Sequence, residues 1–444
     1  MDDSKGSTLT LPCESASDWA FVEQVLRKPV TDLTDLDAML TAFSSLDATP
    51  RTCTFFATIP GSEAAGSFDF DAFLAHGVPL LLEVALAMPS LFAGVTVPIL
   101  RTYSACGDGL TRKSLTLTRR QCACLLAHSF LGSLKRPADV EPNDFRFTVV
   151  ELFVGTAVSP NSATTFLNYF TRLGRDGVPD GEVTFERIGY KKGPSPWTWE
   201  ANEKPLCAVA LADGALEEST ADVHAEFANA FIGGGVLTGD FAMEEILFLV
   251  KPELMVAMAV ANRMVDTEAI RVSGALQTSL VAGYGADFAF AGDYDCRRKG
   301  PPPTVCAIDA IRGGGPAMSE PALLRDLNKA RLGFEGAAEV ATGHWGCGAF
   351  GNNHDLMFLK QWLAASEAGA TKLHYHDFAR GKQSHSIFAL VRRMRHLTVG
   401  QLWAFLREIT GDLGAHDVAS FSKRIADIAV GRLKVPSYTS YACE

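Results

Sequence analysis

Residues 226–245 read Glu-Phe-Ala-Asn-Ala-Phe-Ile-Gly-Gly-Gly-Val-Leu-Thr-Gly-Asp-Phe-Ala-Met-Glu-Glu and place three different elements in succession. An apolar strand comes first, a glycine triplet at 233–235 follows, and an acidic helix start with Glu244 and Glu245 ends the stretch. Because glycine has no Cβ atom, the triplet can bring backbone N–H groups close to a ligand and hold a phosphate without a cation. Two carboxyl groups beside such a loop indicate acid–base chemistry on a phosphorylated sugar.

The same residues also have a purely structural explanation. Asp240 can cap a helix that runs from about Phe241 to Val250 and ends before Pro252. Glu244 and Glu245 would then lie in the first turn, where carboxylates interact favourably with the helix dipole. Taken alone, this stretch supports both explanations equally.

The composition is that of a folded protein with a sizeable core. The 444 residues are 47% hydrophobic and 20% charged, which predicts two or three domains of ordinary size. The most apolar window, Val78 to Leu100, contains Glu83, Pro89 and Pro98, so we expect no membrane span. The net charge of −11 argues against nonspecific nucleic-acid binding, and a polyanionic ligand would need a local site.

The chain shows no sign of secretion. Its first seven residues lack the basic and apolar segments of a signal peptide, and the ten cysteines are scattered, with only Cys122 and Cys124 close together. We therefore expect free thiols in a reducing, intracellular compartment. No dense basic cluster is present, so nuclear and cytoplasmic locations both stay open.

Apolar spacing divides the chain into a helical part and an α/β part. Residues 1 to about 140 predict helices, with Thr118 as the N-cap of a helix from Arg119. The segment Lys191 to Pro205 is rich in Pro, Gly, Lys and Trp and predicts a boundary between a helical accessory region, 1–195, and a second domain, 196–444.

The second domain alternates strands with helices and ends in further helices, which predicts a layered α/β domain. The predicted strands are Leu206–Leu211, Ala225–Phe231, Leu254–Val260, Ile270–Gly274, Cys306–Ala310, Ala337–Thr342 and Lys372–Phe378.

A second glycine loop follows the strand that ends at Thr342. Gly346, Gly348 and Gly351 match G-x-G-x-x-G, and Asp377 lies at roughly the distance at which a dinucleotide fold places its ribose-binding acid. A dinucleotide-binding oxidoreductase is therefore one alternative, and a simple tight turn is another. Two such loops could also hold two sides of one diphosphate.

Other residues could complete the site. Tyr284 and Phe378 are candidates for stacking on a purine ring. His374 and His376 alternate on one strand as metal ligands would, but no third ligand is spaced to join them. We therefore expect no metal and no cofactor.

Several of these motifs occur in the order seen in one family. The sequences are Phe-Ala-Asn-Ala-Phe-Ile-Gly-Gly-Gly-Val-Leu with the following Glu-Glu, then Ala-Gly-Tyr, Ala-Ile-Asp-Ala, Ala-Thr-Gly-His-Trp-Gly-Cys-Gly-Ala-Phe-Gly and His-Tyr-His-Asp-Phe. With these motifs the chain resembles the poly(ADP-ribose) glycohydrolases of eukaryotic type, over most of the range from Leu115 to Gly400.

The resemblance implies a fold, an activity and a set of site residues. The fold would be a macrodomain-like mixed sheet flanked by helices, with an N-terminal helical accessory region and C-terminal helices. The activity would be hydrolysis of ribose–ribose O-glycosidic bonds, with Glu245 as general acid and base and Glu244 beside it. The residues implied to bind substrate are Asn229, Gly233, Gly234, Gly235, Met243, Tyr284, Gly346, Cys347, Gly348, Ala349, Phe350, Gly351 and Phe378.

The resemblance also implies partners. The expected ligands are poly(ADP-ribose) and ADP-ribose, and the expected protein partners carry that polymer, as in the response to DNA damage. A monomer is expected, without direct nucleic-acid or membrane binding.

The chain departs from the family pattern at several site positions. Met243 replaces a glutamine, Val281 a tyrosine and His344 an asparagine, and Asn352 and Asn353 replace a Gly-Asp-like pair. These departures leave a second hypothesis, an ADP-ribose-binding protein with weakened or lost catalysis.

Overall fold

The computed structural model describes most of the chain. The described residues are 7–46, 52–59, 66–102, 109–154, 159–212, 214–239, 241–295, 300–377, 384–411, 418–429 and 431. Two residues named above, the predicted helix cap Asp240 and the predicted stacking partner Phe378, lie outside them.

The strands form one large mixed sheet and one hairpin. The sheet order is β1-β2-β5-β8-β4-β9-β10-β3, and β6 pairs with β7. The bounds are β1 Leu110–Thr118, β2 Glu182–Tyr190, β3 Ala208–Ala212, β4 Val223–Phe227, β5 Glu268–Ser273, β6 Ser279–Ala282, β7 Ala289–Asp293, β8 Thr304–Ile308, β9 Glu339–Thr342 and β10 Lys372–His376.

The strand directions determine where the loops meet. Strands β8, β4, β9, β10 and β3 run parallel, whereas β1, β2 and β5 pair antiparallel at one side of the sheet. The carboxyl ends of neighbouring parallel strands lie at the same edge, where open α/β sheets bind their ligands. The loops that follow β4, β8 and β9 therefore converge there.

Helices cover both faces of the sheet. Their bounds are α1 Ala16–Leu26, α2 Leu33–Ser44, α3 Phe55–Thr58, α4 Phe70–Ala72, α5 Val78–Leu86, α6 Met88–Leu91, α7 Arg119–Leu131, α8 Glu151–Val154, α9 Pro160–Asp176, α10 Met243–Val250, α11 Ala257–Val260, α12 Glu320–Gly333, α13 His354–Ala368, α14 Ser384–Met394, α15 Val399–Gly411 and α16 Val418–Ala429. A π-helical turn, Phe73–Gly77, joins α4 to α5.

Two hydrophobic cores lie on opposite faces of the sheet. In β8, Val305 and Ala307 belong to the core shared with the N-terminal helices, α10 and α11. Cys306 and Ile308 belong to the core shared with α12, α13 and the C-terminal helices. This assignment follows from the two-residue period of a strand, which sends successive side chains to opposite faces.

The fold class predicted from the sequence is confirmed. The structure has a mixed sheet flanked by helices, a helical N-terminal region and C-terminal helices. Thr118 caps α7 as predicted, because its Oγ1 accepts the N–H of Gln121 while the Gln121 side chain accepts the N–H of Thr118.

One predicted strand was wrong, one strand and one hairpin were not predicted, and one helix begins two residues later than predicted. Residues 254–260 form the end of a 3-10 turn and helix α11 rather than a strand, because a short apolar run buried on all sides fits either element. Strand β1 and the β6–β7 hairpin were not predicted. Helix α10 begins at Met243, two residues later than predicted, because the carbonyl of Phe241 accepts the N–H of Gly285 instead of starting the helix.

The domain boundary at residues 195 and 196 stays a prediction. Strands β1 and β2 precede it and nevertheless belong to the large sheet. Over the residues that the structure describes, no helix is long and apolar enough to cross a membrane.

Candidate active site

The two glutamates hold the glycine triplet through its backbone. The Glu244 carboxylate accepts the N–H groups of Asn229 and Gly233, both at 2.7 Å. The Glu245 carboxylate accepts the N–H of Gly235 at 2.7 Å and that of Ala242, the residue before α10, at 3.1 Å. Both side chains are buried. The triplet and the glutamates therefore form one unit. The N–H groups of Gly233 and Gly235, which were expected to hold a phosphate, are bonded to the glutamates instead.

Gly234 is the position where this unit requires glycine. Its φ angle is +50°, in the left-handed region that other residues rarely adopt. A Cβ atom there would overlap Glu245 Oε1 and would lie 2.6 Å from Glu244 Oε2. The glutamates therefore occupy the space in which any larger side chain would lie.

The N-terminal region also contacts this loop, through Arg146. Its guanidinium donates hydrogen bonds to the carbonyl oxygens of Gly234 and Phe231. The loop is therefore held from the glutamate side by its N–H groups and from the arginine side by its carbonyl groups.

Glu226 is a third acidic residue at the site, and the sequence analysis missed it. It lies on β4 with an exposure of 0%, and neither carboxyl oxygen has a hydrogen-bond partner among the described residues. Burial raises the pKa of the Glu226 carboxyl well above its ordinary value, and the negative charges of Glu244 and Glu245 raise it further. The signal in the sequence was a single acid in the strand Val-His-Ala-Glu-Phe, directly before the glycine loop.

Glu244 is subject to opposing effects. Burial raises the pKa of its carboxyl well above the ordinary value and the charge of Glu245 adds to the rise, whereas the N–H donors of Asn229 and Gly233 and the charge of Arg146 lower it. Glu226 and Glu244 therefore keep their protons to higher pH than ordinary carboxyl groups do. Proton storage of this kind suits acid–base chemistry.

Replacing Glu226 with glutamine is expected to remove a pH dependence of folding stability. The unfolded carboxyl ionises near its ordinary pKa of 4.5, whereas the folded carboxyl stays protonated to higher pH. Above that ordinary value, the stability of the wild type therefore falls as pH rises, until the folded carboxyl ionises as well. The loss is at most about 1.4 kcal/mol per pH unit, so the variant should gain stability on the wild type as the pH rises from 5.

Urea unfolding at a series of pH values measures this difference. Glu23→Gln is the matched control, because Glu23 lies on the surface and pairs with Arg27 at 2.6 Å. Parallel stability curves for Glu226→Gln and the wild type would contradict the prediction.

The second glycine loop is tied to the loop after β8. The Asn352 side chain donates to the carbonyl oxygens of Ile311, at 2.7 Å, and Gly346, at 3.0 Å. The N–H of Gly313 donates to the carbonyl of Phe350 at 2.7 Å. Asn352, which departs from the family pattern, therefore joins the two loops.

The outer part of this loop is open. Gly348 and Ala349 are exposed, and the Cys347 thiol has its pKa raised to about 12 by burial. The guanidinium of Arg312 lies 5.2 Å from the centre of the Phe350 ring. The loop therefore presents open backbone, and a cation lies beside it.

Tyr284 lies at the turn of the β6–β7 hairpin, beside the start of α10. Tyr284 is 61% exposed, so its ring is accessible to a ligand. Partial burial and the negative charge of Glu245 raise the pKa of its hydroxyl. The hairpin is fixed by the rings of Phe241 and Phe288, which stack with centroids 4.5 Å apart.

The histidines near the site have separate partners. His344 Nε2 lies 3.1 Å from Asp377 Oδ1, and His374 Nε2 lies 2.7 Å from Glu339 Oε2. His376 contacts the carbonyl of Gly214. Among the described residues, no group of three or more His, Cys, Asp or Glu side chains could hold a metal ion.

Two protein-family models match the chain. The model for the macro domain fold of poly(ADP-ribose) glycohydrolase (PARG) matches residues 197–385, and the model for the helical domain of the same family matches residues 67–187.

Three similar proteins carry related names. A probable poly(ADP-ribose) glycohydrolase 2 of Arabidopsis thaliana is 30% identical over 57% of this chain and 60% of its own length. Poly(ADP-ribose) glycohydrolase 1 of Caenorhabditis elegans is 29% identical over 69% of this chain and 41% of its own length. Poly(ADP-ribose) glycohydrolase 1 of Arabidopsis thaliana is 26% identical over 74% of this chain and 77% of its own length. The chain thus spans less than two thirds of the length of the first two.

Proposed function

We propose that this chain, which belongs to the poly(ADP-ribose) glycohydrolase family, hydrolyses the ribose–ribose O-glycosidic bonds of poly(ADP-ribose) and releases ADP-ribose. One observation carries the proposal. Glu244 and Glu245 are buried together against the backbone of the glycine triplet, at the sheet edge where the second glycine loop also lies. This arrangement combines a site for a phosphorylated sugar with a carboxyl group that can transfer a proton.

Glu245 acts first as an acid and then as a base. Its carboxyl donates a proton to the leaving 2′-oxygen while the bond from that oxygen to the anomeric carbon breaks, through an oxocarbenium-like state. The carboxylate then takes a proton from a water molecule whose oxygen attacks the anomeric carbon. The products are ADP-ribose and a polymer that is one unit shorter.

The binding residues fit this mechanism. Asn229 uses its side-chain oxygen to accept the N–H of Phe231 at 3.0 Å, which leaves its NH₂ group for a ribose hydroxyl. Glu244 fixes the loop and the ribose beside Glu245. The second glycine loop holds the diphosphate, with Cys347, Ala349 and Phe350, and Tyr284 stacks on adenine. The N–H groups of Gly233, Gly234 and Gly235 are bonded inside the protein, so the triplet contributes a close approach of its backbone to the ribose. Phe378 stays a proposed adenine contact.

Met243 has a structural role that the sequence did not show. Its side chain packs against a small cluster of Leu216, Ala221 and Ala341. The thioether therefore contributes apolar contacts where the family glutamine would supply an amide. Met243 stays a proposed neighbour of the substrate, but Glu244 and Glu245 are held without it.

Replacing Gly348 with alanine is expected to weaken ADP-ribose binding without changing stability. A Cβ atom at Gly348 meets no protein atom within 4 Å, so the fold should tolerate it. A methyl group on the open face of a diphosphate loop would collide with the ligand, so we expect about tenfold weaker binding, or ~1.4 kcal/mol. Calorimetry with ADP-ribose and thermal unfolding measure both quantities.

Gly411→Ala is the matched control for this variant, because its Cβ atom also meets nothing and it lies at the end of α15. Equal ADP-ribose affinities for the Gly348 variant and this control would contradict the role of the loop.

The direct test of the function is to incubate the purified chain with poly(ADP-ribose) and to measure free ADP-ribose by chromatography. Release of ADP-ribose supports the enzyme. Tight binding of ADP-ribose without release would instead support the binding-protein hypothesis. Proteins that carry poly(ADP-ribose) are the proposed partners, in the nucleus, the cytoplasm or both.

A further inference from the structure

Two arginines lie against one aromatic ring beside the glycine triplet. The guanidinium carbons of Arg146 and Arg263 are 6.0 Å and 5.9 Å from the centre of the Phe231 ring. Phe231 lies between the proposed ribose ligand Asn229 and Gly233. We call these three residues, Arg146, Phe231 and Arg263, the arginine cluster.

The backbone around the cluster is fixed on both sides. The N–H of Met264 donates to the carbonyl of Ala230 at 2.7 Å, so the segment that carries Arg263 packs against the loop that carries Phe231. The N–H of Arg263 donates to Asp144 Oδ1 at 3.2 Å. The two arginines are therefore brought together by ordered backbone contacts.

The two guanidinium groups have different tasks. Arg146 uses its N–H groups on the carbonyl oxygens of Phe231 and Gly234, so it belongs to the loop structure. Arg263 is exposed, and the described residues provide neither a hydrogen bond nor an ion pair to its guanidinium. Asp144 is the acid nearest to it in the contacts above, and that carboxylate accepts from the backbone of Arg263. Arg263 thus presents an unpaired cation next to a second cation.

Without an anionic ligand, this arrangement has an unfavourable electrostatic free energy. Two like charges that share one ring repel each other, and the chain as a whole has a net charge of −11. A polyanion can therefore be attracted only by local positive charge. A guanidinium also offers several N–H donors in a planar fork that matches two phosphate oxygens.

The position of the cluster indicates which phosphate it would meet. Gly234 and Gly235 connect it directly to Glu245, the proposed acid, whereas the loop at 346–351 follows β9, a neighbour of β4 in the sheet. The diphosphate of the unit to be released occupies the loop at 346–351. A diphosphate at the arginine cluster would therefore belong to a neighbouring unit of the polymer, across the scissile bond.

We propose that Arg263, supported by Phe231 and Arg146, binds the diphosphate of the poly(ADP-ribose) unit on the leaving-group side of the scissile bond. This inference rests on the proposed function, because it assigns a second subsite to the same polymer. It makes Arg263 a residue that distinguishes the polymer from free ADP-ribose.

The test compares polymer binding with monomer binding. Arg263→Glu is placed in the full chain that also carries Glu245→Gln, so that the polymer is not consumed. Affinities are measured for poly(ADP-ribose) of defined length and for ADP-ribose. We expect about tenfold weaker polymer binding, an ADP-ribose affinity within about twofold, and a slope of log K against log salt that is smaller by about 1.

Two further variants serve as controls. Arg27→Glu changes the arginine directly after α1, whose side chain is 66% exposed. It makes the same change in net charge away from the site. Arg263→Lys keeps the charge without the planar fork and should recover part of the polymer affinity, which a merely structural role would not require. Thermal unfolding shows whether each variant is folded, and Arg263→Gln replaces Arg263→Glu if charge reversal prevents folding.

Three results would overturn the proposal. The first is an equal loss of affinity for polymer and monomer, and the second is no loss for either. The third is an equal loss for a DNA oligonucleotide with the same number of phosphates, which would make Arg263 a general polyanion contact. Failure of the proposed hydrolysis is recognised separately, because these measurements of binding do not depend on turnover.

Discussion

Replacing Glu245 with glutamine is expected to reduce the release of ADP-ribose from poly(ADP-ribose) by about 10²- to 10⁴-fold, the usual contribution of a general acid or base. Glutamine has nearly the same shape, and its oxygen can still accept the N–H of Gly235, which Glu245 accepts at 2.7 Å. The N–H of Ala242 loses its acceptor, but Ala242 is exposed, so water can replace the lost hydrogen bond. Its NH₂ group, however, can neither protonate the leaving oxygen nor take a proton from water. The loss should therefore appear in kcat, with ADP-ribose affinity almost unchanged.

Glu244→Gln provides the comparison that makes this result specific. Glu244 accepts two N–H groups, from Asn229 and Gly233, with its two oxygens. Glutamine keeps only one acceptor, so one buried N–H loses its partner and the loop is weakened. We therefore expect Glu244→Gln to reduce both affinity and kcat. A Glu245→Gln variant that kept a tenth or more of the wild-type rate would contradict the assignment of the acid.

The central part of the site could be predicted from the sequence because it is local. The glycine triplet and the two glutamates are separated by only eight residues, so a strand, a loop and a helix start suffice to bring them together. The second glycine loop could be placed as well, because it follows a parallel strand and parallel strands end at a common edge. The order of the motifs shared with the family indicated functional roles for these residues that their spacing alone left open.

The parts of the fold and the site that could not be predicted depend on contacts between segments that are distant in the sequence. Glu226 is a single acid in a strand, and only its packed neighbours show that it is buried without a hydrogen-bond partner among the described residues. Arg146, Phe231 and Arg263 come from three segments and give no local pattern. Residues 254–260 are apolar throughout, so their periodicity could not distinguish a strand from the helical turns that support Gly233.

Asn352 shows why a departure from a family pattern needs a structure. From the sequence it was a change in the diphosphate loop, whereas the structure shows that its side chain joins that loop to Ile311. The next residue, Asn353, caps α13 by accepting the N–H of Leu356 at 2.9 Å. Both asparagines therefore have structural tasks that leave the exposed Gly348 free for a ligand.

Replacing Gly234 with alanine is expected to reduce hydrolysis by more than about 10²-fold, because the new Cβ atom and the two glutamates cannot occupy the same space. The added atom overlaps Glu245 Oε1 and lies 2.6 Å from Glu244 Oε2, so both carboxyl groups must move. The backbone contributes a separate cost, since an L-residue at a φ of +50° is less stable by about 1 to 2 kcal/mol.

Gly177→Ala separates these two costs. Gly177 has a φ of +79°, but a Cβ atom there meets nothing within 4 Å. Both variants should lose stability in urea unfolding through backbone strain, whereas only Gly234→Ala should lose activity and ADP-ribose affinity. If Gly234→Ala were as active as Gly177→Ala, the glutamates would not need their observed positions, and the unit formed by the triplet and the two acids would not be the centre of catalysis.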